Sequence, residues 1–293
     1  MPVTIAYTVR VPATSANLGP GFDSLGLALS LYDEVTAAIS DTTSVEISGE
    51  GAGELATDEK HLVVQAMRET FAEIGEQPAG IKLTCVNSIP QARGLGSSSA
   101  AIVAGVTLAN ALAGSPLGKD DELRIAGRLE GHPDNVAPCL LGGFTIAWTG
   151  SSGARAVSMP PHELVSPAVL VPANKGLTAE ARAALPVTVP HADAAFNAAR
   201  SALLVHALTQ APELLFEATE DRLHQDYRAP GMPETAALVR RLRELGVAAT
   251  VSGAGPTVLA LTPLPVGFVP GEGWLTHALA AQIGGAAVRA GNI

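Results

Sequence analysis

The first third of the chain alternates apolar and polar positions with the two-residue period of strands, interrupted once by a helical period. Thr4–Ala13, Leu27–Ile39 and Ser44–Glu50 read as strands, the first stopping at Pro12, which cannot donate to a ladder. In Asp58–Gly75 the period changes: Leu62, Val63, Ala66, Met67, Thr70, Phe71 and Ile74 fall on one face, and Asp58 can cap the helix they predict. Gly80–Pro90 is a further strand. It runs into a glycine- and serine-rich loop and then an alanine-rich helix. Gly118–Asn135 predicts a short helix and an unusual turn, Gly142–Trp148 a strand, and Gly150–Arg155 a hairpin. Beyond about residue 155 helical periods dominate. Ala168–Asn174, Ala248–Gly253 and Thr257–Thr262 read as strands. Thr178–Leu185, Asp193–Gln210, Pro212–Tyr227, Glu234–Gly246 and Trp274–Ile283 read as helices.

Composition narrows the function classes. The 293 residues carry 47% apolar side chains but only 4% aromatic ones, so an extensive core must be built from Ala, Val and Leu. A formal charge of -10 disfavours nucleic acid and anionic membranes as partners, and any anionic ligand must be held by local groups. Cys85 and Cys139 lack metal or disulfide spacing and read as buried thiols in a reducing compartment. The first residues show no basic segment followed by an apolar block, and the uncharged stretch Gly94–Gly118 is too rich in small and hydroxyl residues for a bilayer span. We expect a cytoplasmic protein.

The order strand, Gly-rich loop, helix is what a phosphate cradle requires, because the first amides of a helix are free donors and its dipole favours an anion. In GLGSSSA, Gly94 to Ala100, glycines permit close approach and serines add hydroxyls. No Lys-Ser/Thr pair follows, so the loop is not the Walker A type, and the third position of a dinucleotide fingerprint is a serine. By itself the loop also admits a lesser reading, a helix start capped by Ser97 with flexible flanks.

Four stretches together carry more: PATSANLGPGFDSLG from Pro12, the loop, EGHPDN from Glu130 to Asn135, and SGAGP from Ser252 to Pro256. This combination resembles the GHMP family of small-molecule kinases and, within it, the homoserine kinase branch. The resemblance implies an α+β, two-domain GHMP kinase fold, with a sheet-rich N-terminal domain over residues 1–155 and a ferredoxin-like C-terminal domain over 156–293. It implies ATP and Mg2+ as cofactors, L-homoserine as substrate, O-phospho-L-homoserine on the way to threonine as product, and a homodimer as a plausible assembly.

The same resemblance assigns residues. The nucleotide would lie on the loop: Pro90, Gln91, Ala92 and Arg93 lead in, Gly94, Leu95, Gly96 and Ser97 form the turn, and Ser98, Ser99 and Ala100 open the helix. His61 would face the base, where related sequences commonly have Asn; neutral His offers one donor and one acceptor on separate nitrogens, so the base preference is less constrained. Ser98 and Glu130 would ligate magnesium. Asn17 and Asp23 would take the substrate's ammonium and hydroxyl. His132, Asp134 and Asn135 would line the same pocket, with Gly253 closing it. Arg182 and Arg228 would bind the carboxylate, whose two oxygens a guanidinium fork matches. The family's occasional aspartate base has no clear equivalent, which suggests transfer without a dedicated base. A kinase for mevalonate or a sugar is the rival reading, and a non-catalytic or RNA-binding module a more distant one that the net charge opposes.

Overall fold

The computed structural model describes residues 5–292, so the first residue of the strand expected from Thr4 lies outside it. β1 (Ile5–Ala16) pairs antiparallel with β2 (Leu25–Ser40), and a register shift between Pro12 and Ala13 carries β1 past the proline. The strand therefore does not end at Pro12. A bulge absorbs the residue that cannot donate, and the chain continues to Asn17. β3 (Ser44–Gly49) and β4 (Gly80–Asn87) are parallel neighbours joined by α1 (Leu62–Ile74), the crossover such a pair needs. α1 starts four residues later than expected. Asp58 instead closes the turn before it, accepting from the Lys60 amide at 2.9 Å, while His61 occupies the N-cap with no side-chain cap.

α2 (Ser97–Leu112), α3 (Lys119–Glu130) and α4 (Pro133–Leu141) follow, then the hairpin of β5 (Phe144–Gly150) and β6 (Gly153–Met159). α2 is almost wholly buried, as its uncharged small-residue composition requires. A Cβ at Gly105 would lie 2.6 Å from the Val63 carbonyl oxygen, so this glycine is what lets α2 press against α1. EGHPDN is more than a turn: Gly131, at φ 88, ends α3, and Pro133 opens α4 at a position where a missing amide costs nothing.

The second layer contains β7 (Ala168–Pro172), α5 (Thr178–Ala183), α6 (His191–Thr209), α7 (Leu215–Ala218), α8 (Gln225–Arg228), α9 (Pro233–Glu244), β8 (Ala249–Val251), β9 (Val258–Ala260) and β10 (Trp274–Ala278). Its strands lie in the order β10-β7-β9-β8, all neighbours antiparallel, which is the strand order of a ferredoxin-like sheet. Two expectations fail here. Pro212–Tyr227 is not one helix, because Asp221 accepts the amides of Leu223, His224 and Gln225 and restarts the chain as α8. Trp274–Ile283 does not form a helix: its first half is β10, paired with β7. Leu264 and Phe268, in the connection before it, pack on the small core beneath α9.

β11 (Ala287–Asn292) returns to pair with β1, giving a seven-stranded first sheet of order β11-β1-β2-β4-β3, with β5 on β2 and β6 on β5. Residue 155 thus falls inside β6. The main core joins the helical face of this sheet to residues of α6 and β7. No helix among the described residues is long and apolar enough to cross a membrane.

Candidate active site

β4 ends at Asn87, and the chain then turns through the Gly-rich loop into α2, over a cleft of about 430 Å³. Gly96 takes the N-cap position at φ 71. A Cβ there would lie 2.0 Å from Thr14 Oγ1 and 3.2 Å from Asn135 Oδ1, so this glycine is required by the layer beneath the loop. A Cβ on Gly94, at φ 77, would lie 2.3 Å from the Ser252 carbonyl oxygen. The Ser252 hydroxyl sits 2.6 Å from the Gly94 carbonyl oxygen and 2.8 Å from Ser15 Oγ, while the Thr257 amide donates to Arg93 O at 3.2 Å. The SGAGP turn is therefore the brace behind the loop. Pro90, Leu95 and Ser99 do not line the cleft; the other loop residues from Gln91 to Ala100 do. Arg93 lines it, but its guanidinium donates to the carbonyls of Gln91, Pro172 and Ala173. It ties the loop to the end of β7, leaving the anion site to amides and hydroxyls.

The first turn of α2 meets the last residue of α3. Ser98 Oγ donates to Glu130 Oε1 at 2.6 Å and Ser99 Oγ to the same oxygen at 2.9 Å. A hydroxyl and a carboxylate, with room for water and phosphate oxygens, is a donor set that suits magnesium. Among the described residues no cluster of three His, Cys, Asp or Glu could cage a metal by itself.

At the other end of the cleft, β1 leaves the sheet through a turn in which Asn17, Leu18 and Asp23 all have positive φ. Asn17 sustains this strained path: its Oδ1 accepts from the Asp23 amide at 3.0 Å, and its Nδ2 donates to the Gly253 carbonyl oxygen at 2.8 Å. The Asp23 carboxylate receives both arms of Arg182, at 2.8 and 3.0 Å, so groups expected at opposite poles of a zwitterion hold each other. His132 Nδ1 lies 2.6 Å from Asp134 Oδ1, and that bond raises the imidazole's pKa against the opposing effect of burial. Asn135 Oδ1 accepts from Thr14 Oγ1 at 2.8 Å.

Arg228 is the exception to this pairing. It is only 3% exposed. Its guanidinium donates to Ala181 O (3.0 Å), His224 Nδ1 (3.2 Å) and Gly253 O (3.4 Å), all neutral atoms. Burial lowers its pKa, and Arg182 acts in the same direction. A desolvated cation facing a cleft with no anion on it leaves a place for one.

Three cleft residues escape motif reasoning or change in meaning. Lys60 lines the cleft just before α1, although nothing in its sequence neighbourhood marks it. Asp33, on β2, is buried; desolvation pushes its carboxyl up to about 6 even though the Ser88 and Ile89 amides donate to it. His61 is also buried, with Nδ1 lacking any partner, and burial lowers its pKa, which keeps the ring neutral.

Comparisons with known proteins agree with this geometry. Residues 61–143 match the model of the GHMP kinases N terminal domain, and residues 199–266 that of the GHMP kinases C terminal. The homoserine kinase of Streptomyces avermitilis is 54% identical over 97% of this chain and 95% of its own. That of Clavibacter michiganensis is also 54% identical, over 94% and 86%. Among solved structures, the homoserine kinase of Cytophaga hutchinsonii superposes with a TM-score of 0.85 at 27% identity, covering 97% of both chains. The braced Gly-rich loop, the Ser98–Glu130 pair and this similarity along nearly the whole length place the chain in the GHMP kinase family, among the homoserine kinases.

Proposed function

We propose that this protein transfers the γ-phosphoryl group of ATP to the side-chain hydroxyl of L-homoserine, giving O-phospho-L-homoserine and ADP. The observation that carries the reading is the content of one cleft: a helix N-terminus with the Ser98–Glu130 pair at one end, and at the other a carboxylate on the strained Asp23 turn beside the unpaired Arg228. The loop amides and the hydroxyls of Ser97 and Ser98 hold phosphate oxygens. Ser98 and Glu130 hold magnesium, which would neutralise charge on the β- and γ-phosphates. Arg228 and Arg182 take the carboxylate, and Asp23 the ammonium, with Asn17 and Gly253 framing the turn. The hydroxyl oxygen then forms its bond to γ-phosphorus as the bond to the ADP oxygen breaks, and the proton passes to a phosphoryl oxygen or to water.

That last step needs no dedicated base. Each of the four carboxylates lining the cleft has another partner in this arrangement: Asp23 the substrate's ammonium, Asp33 two backbone amides, Glu130 two hydroxyls and Asp134 the His132 ring. Catalysis then rests on positioning and fixed donors. We place the enzyme in the cytoplasm, in threonine synthesis, and carry a homodimer as the family expectation, which light scattering tests. The decisive experiment measures ADP release with Mg-ATP and homoserine, mevalonate or galactose. Homoserine is expected to be used far faster than the others; equal use of mevalonate, which lacks an amine, would overturn the substrate assignment.

A further inference from the structure

His224 opens the stretch HQDYRAPG that carries Arg228 and has no role in any motif, yet its imidazole is fully buried directly behind the substrate end of the cleft. It touches two functional groups. Nδ1 lies 3.2 Å from Arg228 Nη1, and Nε2 lies 2.8 Å from the carbonyl oxygen of Gly19. A guanidinium can only donate, so Nδ1 is the acceptor and the ring proton sits on Nε2, donating to Gly19. Desolvation lowers the pKa of His224 against the pull of Asp221, so the ring keeps both roles in its neutral form.

The ring itself is fixed. Asp221 Oδ2 accepts the amides of His224 and Gln225, and Phe22 packs on the imidazole with centroids 5.2 Å apart. Gly19 is equally constrained, since a Cβ there would lie 2.4 Å from the Thr219 carbonyl oxygen. Gly19 belongs to the turn that carries Asn17 and Asp23, whereas Arg228 ends α8, more than two hundred residues later. One rigid ring therefore spans the arm assigned to the carboxylate and the turn assigned to the ammonium.

We propose that His224 is a positioning residue that sets the spacing between these receptors and so tunes the site to an α-amino acid head group. This rests on reading Arg228 as the carboxylate receptor. The ring touches no substrate itself; it orients Arg228 from behind and keeps the Asp23 turn in register with it.

Two substitutions separate the contacts. His224→Gln can keep the donor to Gly19 while losing the acceptor for Arg228. His224→Asn can place its oxygen near the former Nδ1 and lose the Gly19 bond. Homoserine KM, ATP KM and kcat are measured for both, together with turnover of 3-aminopropan-1-ol, which is homoserine without its carboxylate. Melting curves identify the temperature at which each variant is folded. Expected is a rise of about tenfold in homoserine KM for His224→Gln and a smaller one for His224→Asn. ATP KM should stay within twofold in both variants, and turnover of the carboxylate-free alcohol within twofold in His224→Gln, which keeps the bond to Gly19. Homoserine KM unchanged in both variants, or a loss shared equally by ATP and 3-aminopropan-1-ol, would overturn the proposal. Arg228→Met distinguishes the failures. If it too leaves homoserine KM unchanged, the carboxylate assignment is wrong; if it raises KM while the His224 variants do not, only the positioning role falls.

Discussion

The two ends of the cleft solve the same problem, holding a charged ligand, with opposite materials. At the α2 end the loop offers backbone amides and serine hydroxyls, and its one arginine is occupied by three carbonyls. At the far end Asp23, Arg182, Arg228, His132 and Asp134 bring full or potential charges from separate elements. Amides and hydroxyls are readily hydrated when no ligand is bound, so the first end can stand ready at little cost. Half-buried charges cannot. Asp23 therefore takes Arg182 and Asp134 takes His132, and a zwitterion entering the site must exchange partners. Such exchange makes binding at the second end weaker than its list of charges suggests, but selective, because only a ligand with both poles compensates both broken halves.

Substitutions can press on this contrast. The largest expected effect belongs to Glu130→Ala, which removes the carboxylate that meets the loop's serines. We expect kcat to fall about 10²–10³-fold with homoserine KM unchanged; a rise in homoserine KM as large as the fall in kcat would mean that the ends are not separable. Next comes Asp33→Asn. Desolvation raises the carboxyl of Asp33 from 3.8 to about 6, so the folded state binds its proton more tightly, and stability is lost as pH rises between those values. Asn can still accept the Ser88 and Ile89 amides. At pH 7 the variant should be more stable by up to about 3 kcal/mol, and at pH 4 close to the parent, as measured by urea unfolding at both values.

Gly96→Ala probes the place where the two ends touch. Its methyl would meet Thr14 Oγ1, whose hydroxyl donates to Asn135. A loss of about 2 kcal/mol in stability should accompany increases in both ATP and homoserine KM. An increase in ATP KM alone would show that the loop is insulated from the substrate end. Arg182→Met is the mildest. The pair it breaks is more than one-third exposed on each side, so stability should change little, while homoserine KM rises about tenfold and ATP KM holds. If homoserine KM stays put, Arg182 serves only to close the unliganded site.

The contrast also explains what could be read without coordinates. A site made of backbone is written contiguously, because consecutive amides need consecutive residues. GLGSSSA therefore announced its end, and Glu130 followed from the family pattern. Residue types at the other end were legible, and local context marked Arg182 and Arg228 as substrate arginines, but their partnerships were not: Asp23 and Arg182 are 159 positions apart, and no spacing foretells that Arg228 is buried among neutral acceptors while Arg182 is held by a carboxylate. His224 stands at the head of the stretch that carries Arg228, but no pattern gave it a role, since that role depends on Gly19 lying against it. The misread elements have the same origin. Pro212–Tyr227 has helical spacing, but three amides on Asp221 outweigh it; Trp274–Ala278 has helix-forming residues, but β7 offers a ladder.

The pairing of β11 with β1 bears on how the protein is made. Ile5 lies opposite Asn292 and Arg10 opposite Ala287, so the outer partner of the first strand is synthesised some 270 residues after it. At ribosomal speeds that is a delay on the order of 15 to 55 s. Throughout it, the exposed margin of β1 is an invitation to the strands of neighbouring nascent chains. Holdase chaperones that mask such margins would raise the yield of this enzyme during translation, whereas a truncation that removes β11 would leave every copy permanently in that vulnerable state.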